Sequence, residues 1–158
     1  MQILWTAARA LLYATGFVTV SLYLALLVRN WDAQVPVLGA AQHIGMLLMA
    51  SGLLMGGSSI AAFVAVGKGT PAPFDAPRRF VAVGPYRVVR NPMYVGGLTA
   101  LAGLAIYLGS GAMLLFAILW AAFAHLFVVL YEEPVLRTKF GREYVAYCAA
   151  VPRWLPWR

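Results

Sequence analysis

Two adjacent carboxylates, Glu132 and Glu133, directly follow a run of apolar residues. An ionisable group at the end of a membrane-embedded helix is costly to desolvate and is a functional candidate by default. A carboxylate pair facing a basic loop can bind a cationic or hydroxyl-rich ligand. It can equally pair with loop arginines and hold one part of the chain to another, and the spacing leaves both readings open. His125 lies seven residues before Glu132, which on a regular helix puts both nearly on one face. It is a candidate base for an amine or thiol nucleophile, or else a neutral histidine bonded to a neighbouring helix. A second polar feature runs Gly84, Pro85, Tyr86, Arg87, Val88, Val89, Arg90, Asn91, Pro92, Met93, Tyr94. A third runs Phe140, Gly141, Arg142, Glu143, Tyr144, then Tyr147 and Pro152, Arg153. Arg87 and Arg153 can clamp an anionic headgroup or a ligand carboxylate, or snorkel to lipid phosphate. The lone Cys148 excludes an internal disulfide and a multi-cysteine zinc site, and no metal cluster is apparent.

The elements that must position these residues are apolar helices. Of 158 residues, 63% are hydrophobic and only 11% charged, whereas soluble domains are about 45–50% apolar and about 25% charged. The mean hydropathy of +0.80 belongs to a chain whose side chains face lipid. Four runs suit membrane-crossing helices, at about 10–28, 43–66, 94–108 and 112–130. The turn at Gly109, Ser110, Gly111 makes the last two an antiparallel hairpin. Gly52 and Gly56 in the second run have the spacing that lets another helix approach closely. The N-terminal run lacks a small-x-small cleavage site and reads as a span, not a signal peptide.

The net charge of +7 does not indicate nucleic acid, because the cations are clustered between apolar runs. Residues 68–90 hold five cations and one acid, and five more cations come after Tyr131. An even number of spans puts both clusters on one side, which the positive-inside rule makes cytoplasmic. The expected fold is therefore an all-α integral membrane protein of about four transmembrane helices, with a cytoplasmic loop and an amphipathic C-terminal tail at the membrane surface. Both termini are expected in the cytoplasm, the membrane being a bacterial inner membrane. The chain reads as one membrane domain, 1–158. Residues 1–66 supply two helices, and 67–158 the long loop, hairpin and tail.

In this order the three polar features resemble the C-terminal half of the isoprenylcysteine carboxyl methyltransferase family and its bacterial members, related to the phospholipid N-methyltransferases. The resemblance covers about residues 78–156. It implies an integral-membrane methyltransferase that uses S-adenosylmethionine and acts on a lipophilic acceptor by carboxylate, amine or thiol methylation. Matched position by position, it places cofactor contacts on Arg78, Arg79, Phe80, Val81, Tyr86, Asn91, Pro92, Met93, Tyr94 and Glu132. The implied partners are membrane lipids and a small lipophilic substrate; Arg153 is a substrate candidate on its charge and position alone. Tyr86 and Tyr94 can offer aromatic faces to a sulfonium cation, and Glu132 can accept hydrogen bonds from an amine or ribose.

Two positions depart from the family pattern. Asn91 replaces a histidine found in many members and cannot titrate near neutral pH. Val128 stands where the eukaryotic enzymes carry an arginine for the substrate carboxylate, which disfavours a prenylcysteine acceptor. Two alternatives stand beside the first reading: a phospholipid or lipid-amine N-methyltransferase, and a non-catalytic membrane subunit or carrier on the same scaffold.

Overall fold

The computed structural model of the protein describes residues 2–31, 39–68 and 79–157. Among these residues every regular element is helical. Helix α1 runs Gln2–Arg29, α2 Gly39–Ala62, α3 Pro92–Leu108, α4 Gly111–Phe127 and α5 Glu133–Ala150. Three segments are long and apolar enough to cross a membrane: Leu4–Arg29, Gly39–Gly67 and Gly111–Ala150. The shorter apolar α3 makes a fourth helix beside them. Segment Gly111–Ala150 is 40 residues long, which at 1.5 Å per residue is about 60 Å, twice the hydrocarbon thickness. Its uncharged part, 111–131, is 21 residues and about 31 Å, so the helix leaves the lipid as the two glutamates arrive.

Helices α2 and α3 are joined backbone to backbone. A Cβ on Gly45 would stand 2.7 Å from the Gly103 carbonyl oxygen, and one on Gly103 would stand 2.6 Å from the Gly45 oxygen. Gly52 and Gly96 meet in the same way one heptad along, a Cβ on Gly96 falling 2.7 Å from the Gly52 oxygen. Gly96 thus sits in the notch that Gly52 and Gly56 form four residues apart, and the contact repeats seven residues along each helix at Gly45 and Gly103. A Cβ on Gly56 would meet nothing, although Gly96 presses against its backbone nitrogen. Without a hydrophobic drive between helices in lipid, such close contact is what van der Waals packing requires.

Helix α1 leaves most of its apolar side chains exposed. It touches α4 where Phe17 meets Trp120 at 5.4 Å, and Ala25 joins Ala105 and Met113 in a small core. Ser110 caps α4 by accepting the Met113 N–H at 3.2 Å.

Two spans widen into π-helical turns, at Phe63–Gly67 and Val128–Glu132. In the second, the Glu133 N–H donates to the Val128 carbonyl five residues back. Pro134 comes immediately after; it has no N–H and its ring crowds the carbonyl four residues earlier, which accounts for the wider turn. Such turns concentrate at functional sites, and these two end beside the polar segments. The extra residue rotates the downstream helix by roughly 100° about its axis. His125 and Glu132 on either side of this turn are linked through Trp154 and Tyr94. Helix α5 then breaks at Gly141, whose φ of 53° and ψ of −126° are strained for any residue with a Cβ. The break turns Tyr144 and Tyr147 back toward the loop.

Candidate functional site at one end of the bundle

The long loop, the hairpin end and the tail meet at one place. Lys68 takes a left-handed conformation after the first π turn. The Arg79 N–H then donates to the Gly67 carbonyl at 3.2 Å, so the chain re-enters where it left. Arg78 lies outside the described residues. The Arg79 side chain is exposed. Phe80 sits among three rings of α5: Tyr147 at 5.0 Å, Phe140 at 5.4 Å and Tyr144 at 6.0 Å. Val81 is buried beside it in sequence. Phe80 ties the loop to α5.

A 3-10 turn, Gly84–Arg87, opened by Pro85, drives Tyr86 inward. Its ring lies 5.7 Å from Phe63, and its carbonyl accepts the Tyr147 hydroxyl at 2.6 Å. The Tyr86 side chain is only 6% exposed, yet its hydroxyl has no hydrogen-bond partner. Burial, reinforced by the charge of Glu132, pushes the phenol well above its usual range, so it stays a neutral donor. An unsatisfied buried hydroxyl costs about 1–3 kcal/mol.

Next in the chain, the Arg90 N–H donates to the Pro152 carbonyl at 2.8 Å, and the Asn91 side-chain amide donates to the Arg153 carbonyl at 3.2 Å. Asn91 thus stands before α3 without capping it and holds the tail instead. Pro92 begins α3 at a position where no N–H is needed. Met93 is half-buried in the first turn. Tyr94 donates its hydroxyl to Glu132 Oε2 at 3.1 Å.

The two glutamates divide the alternatives that the sequence leaves open. Glu133, 5% exposed, accepts from Arg90 Nη1 at 2.9 Å and from Arg153 Nε at 2.7 Å and Nη2 at 3.1 Å. It is the clamp between loop and tail. Glu132 is held by Tyr94 and shares no salt bridge with the described residues. Arg90 Nη1 also lies 3.0 Å from Cys148 Sγ. Glu132, Tyr94 and Tyr86 therefore come together, while Phe80, Val81, Asn91, Pro92 and Arg153 build the frame around them.

One member has no sequence signal. The Trp154 indole donates to His125 Nδ1 at 3.0 Å and stands edge-on to Tyr94, with centroids 6.2 Å apart. A tryptophan after Pro152 in a basic tail reads as an interfacial anchor, and nothing in the spacing shows that it reaches α4.

The family model for phospholipid methyltransferases matches residues 41–143. This chain belongs to that family. The match takes in the glycine-packed helix pair, the loop, Tyr86, Tyr94, His125 and both glutamates, and stops before Tyr147, Arg153 and Trp154. Among curated proteins none matches the chain. Family membership makes it a membrane methyltransferase associated with lipid-like substrates, in agreement with the family resemblance carried by the polar motifs.

Proposed function

We propose that the protein transfers a methyl group from S-adenosylmethionine to a lipophilic acceptor drawn from the bilayer. The observation that carries this reading is the convergence of Tyr86, Tyr94 and Glu132 within the family-matched region. These residues fit the cofactor: the orphaned Tyr86 hydroxyl offers a donor, Glu132 an anionic acceptor, and the tyrosine rings electron-rich faces for a sulfonium. When bound, the cofactor supplies an electrophilic methyl group. The chain's own residues align and enclose the reactants. Tyr94 fixes the Glu132 carboxylate, the Glu133 clamp holds loop against tail, and the Phe80 cluster shields that end from water. Alignment and exclusion of water are what an in-line displacement asks of a protein.

A lipid amine is favoured over a carboxylate as acceptor. Arg90 and Arg153 both engage Glu133, and Val128, 1% exposed, occupies the position where the eukaryotic isoprenylcysteine enzymes carry an arginine. A carboxylate brought to Glu132 would meet like charge, whereas an amine would meet a carboxylate and aromatic rings. The cation-rich end is taken to face the cytoplasm of a bacterial cell, and the cofactor to enter there.

Calorimetry in nanodiscs tests the cofactor; absence of S-adenosylmethionine binding would end this reading. Methyl incorporation into lipid extracts, compared with farnesylcysteine analogues, separates amine from carboxylate acceptors, with the lipid expected to be labelled.

A further inference from the structure

The hydrogen bond between the tail and α4 determines what His125 can do. A tryptophan indole is a donor only, so the 3.0 Å contact requires an unprotonated Nδ1 on His125. The neutral ring then carries its proton on Nε2. His125 held this way cannot take a proton at Nδ1 without expelling Trp154, so it presents an N–H donor and not a base. No hydrogen bond from the described residues reaches Nε2. The ring lies exposed on α4, within the uncharged stretch 111–131. In hydrocarbon such a donor has no water to satisfy it, and the only acceptors there are oxygens of lipids.

We propose that His125 and Trp154 form a subsite for an oxygen of the acceptor lipid, with His125 Nε2–H as donor and Trp154 as the positioning residue that sets its tautomer. The inference rests on the lipid-amine reading above and adds a second point of attachment to it. His125 precedes Glu132 by seven residues, roughly 10 Å deeper along the helix. The headgroup layer of a bilayer is about 5–8 Å thick on each side. A lipid whose amine lies at Glu132 therefore brings its phosphate and glycerol esters toward the level of His125. Trp154 joins both points, touching Tyr94 and His125 at once. Its segment is fixed from behind by the Arg90–Pro152 and Asn91–Arg153 hydrogen bonds.

The test uses the full chain in nanodiscs of phosphatidylcholine doped with increasing mole fractions of phosphatidylethanolamine, ester- or ether-linked, with labelled S-adenosylmethionine. His125→Leu is expected to raise the half-saturating mole fraction about 10-fold, the loss of one hydrogen bond, with the maximal rate and cofactor affinity unchanged. His125→Gln, which can accept from Trp154 and still donate, should stay within about 3-fold of wild type. Trp154→Phe keeps the ring and should fall between them. If the ether-linked lipid weakens wild type as much as His125→Leu does, the bound oxygen is the ester carbonyl. If ether and ester lipids behave alike while His125→Leu remains weak, it is a phosphate oxygen. An unchanged half-saturation in His125→Leu, or a His125→Gln defect as deep as that of His125→Leu, overturns the subsite while leaving the methyltransferase reading in place. Absence of methylation by wild type overturns the lipid-amine reading and this inference with it.

Discussion

Replacing Glu133 by glutamine and replacing Glu132 by glutamine should damage different properties, although the residues are adjacent and chemically identical. Glu133→Gln removes the counter-charge of Arg90, whose side chain is 11% exposed. Breaking a buried pair from one side costs about 3–5 kcal/mol, because the remaining charge stays desolvated. Arg153, 32% exposed, is solvated and adds about 1 kcal/mol at most. At about 2–4 °C per kcal/mol for a chain of this size, the apparent Tm should fall by about 6–20 °C. The chain carries its own reporter: its single cysteine, Cys148, lies 3.0 Å from Arg90 Nη1 and is alkylated faster when the clamp opens. Thermal alkylation with a fluorescent maleimide, in detergent and in nanodiscs, reads the transition directly. Glu132→Gln keeps an acceptor for the Tyr94 hydroxyl, so its melting point should move little. Its cofactor affinity should fall about 10- to 100-fold, the loss of a charge-assisted hydrogen bond. The opposite pattern, with Glu132→Gln unfolding early and Glu133→Gln melting like wild type, would refute the division of labour between the two acids.

Three further outcomes are expected. Tyr86→Phe removes an orphaned hydroxyl, so the ligand-free protein should gain about 1–3 kcal/mol in a melting assay while S-adenosylmethionine binds more weakly by calorimetry; a variant that loses stability would show that the hydroxyl is already satisfied. Phe80→Ala strips three ring contacts and should cost about 3 kcal/mol, seen as faster proteolysis of the tail. Gly52→Ala and Gly103→Ala place a methyl against facing backbone and should destabilise by about 1–3 kcal/mol, whereas Gly57→Ala, with open space around it, should be neutral or slightly stabilising by thermal denaturation.

The spans are legible in the sequence because lipid imposes one simple demand, an uncharged run of sufficient length. The meeting of loop and tail is legible because the cations fall in two clusters separated by an even number of spans. The partners of Glu132 and Glu133 are not. Which acid takes the arginines depends on the angle at which the helix leaves the π turn at Val128–Glu132, and local composition does not encode that angle. The link between His125 and Glu132 runs through Trp154 and Tyr94, which the heptad offset between them does not encode. Gly52 and Gly56 announce a close helix contact, but their partner Gly96 and the second contact of Gly45 with Gly103 are known only once the helices are paired. Phe80 resembles a cofactor residue in the motif, whereas its neighbours Phe140, Tyr144 and Tyr147 become visible only after Gly141 has turned the chain. Trp154 depends on the same long-range closure.

Helix α3 has 17 residues, a length of about 25 Å against a hydrocarbon layer of about 30 Å. Welded to α2 through its glycines, it cannot correct the shortfall by sliding. The bilayer must yield instead, at fractions of a kcal/mol per ångström of mismatch. Because Tyr94 lies in the first turn of that short helix, thinning at that end would bring neighbouring headgroups toward the pocket. Thin bilayers would then deliver headgroups to it more easily than thick ones, which methylation rates in nanodiscs of short- and long-chain lipid would read.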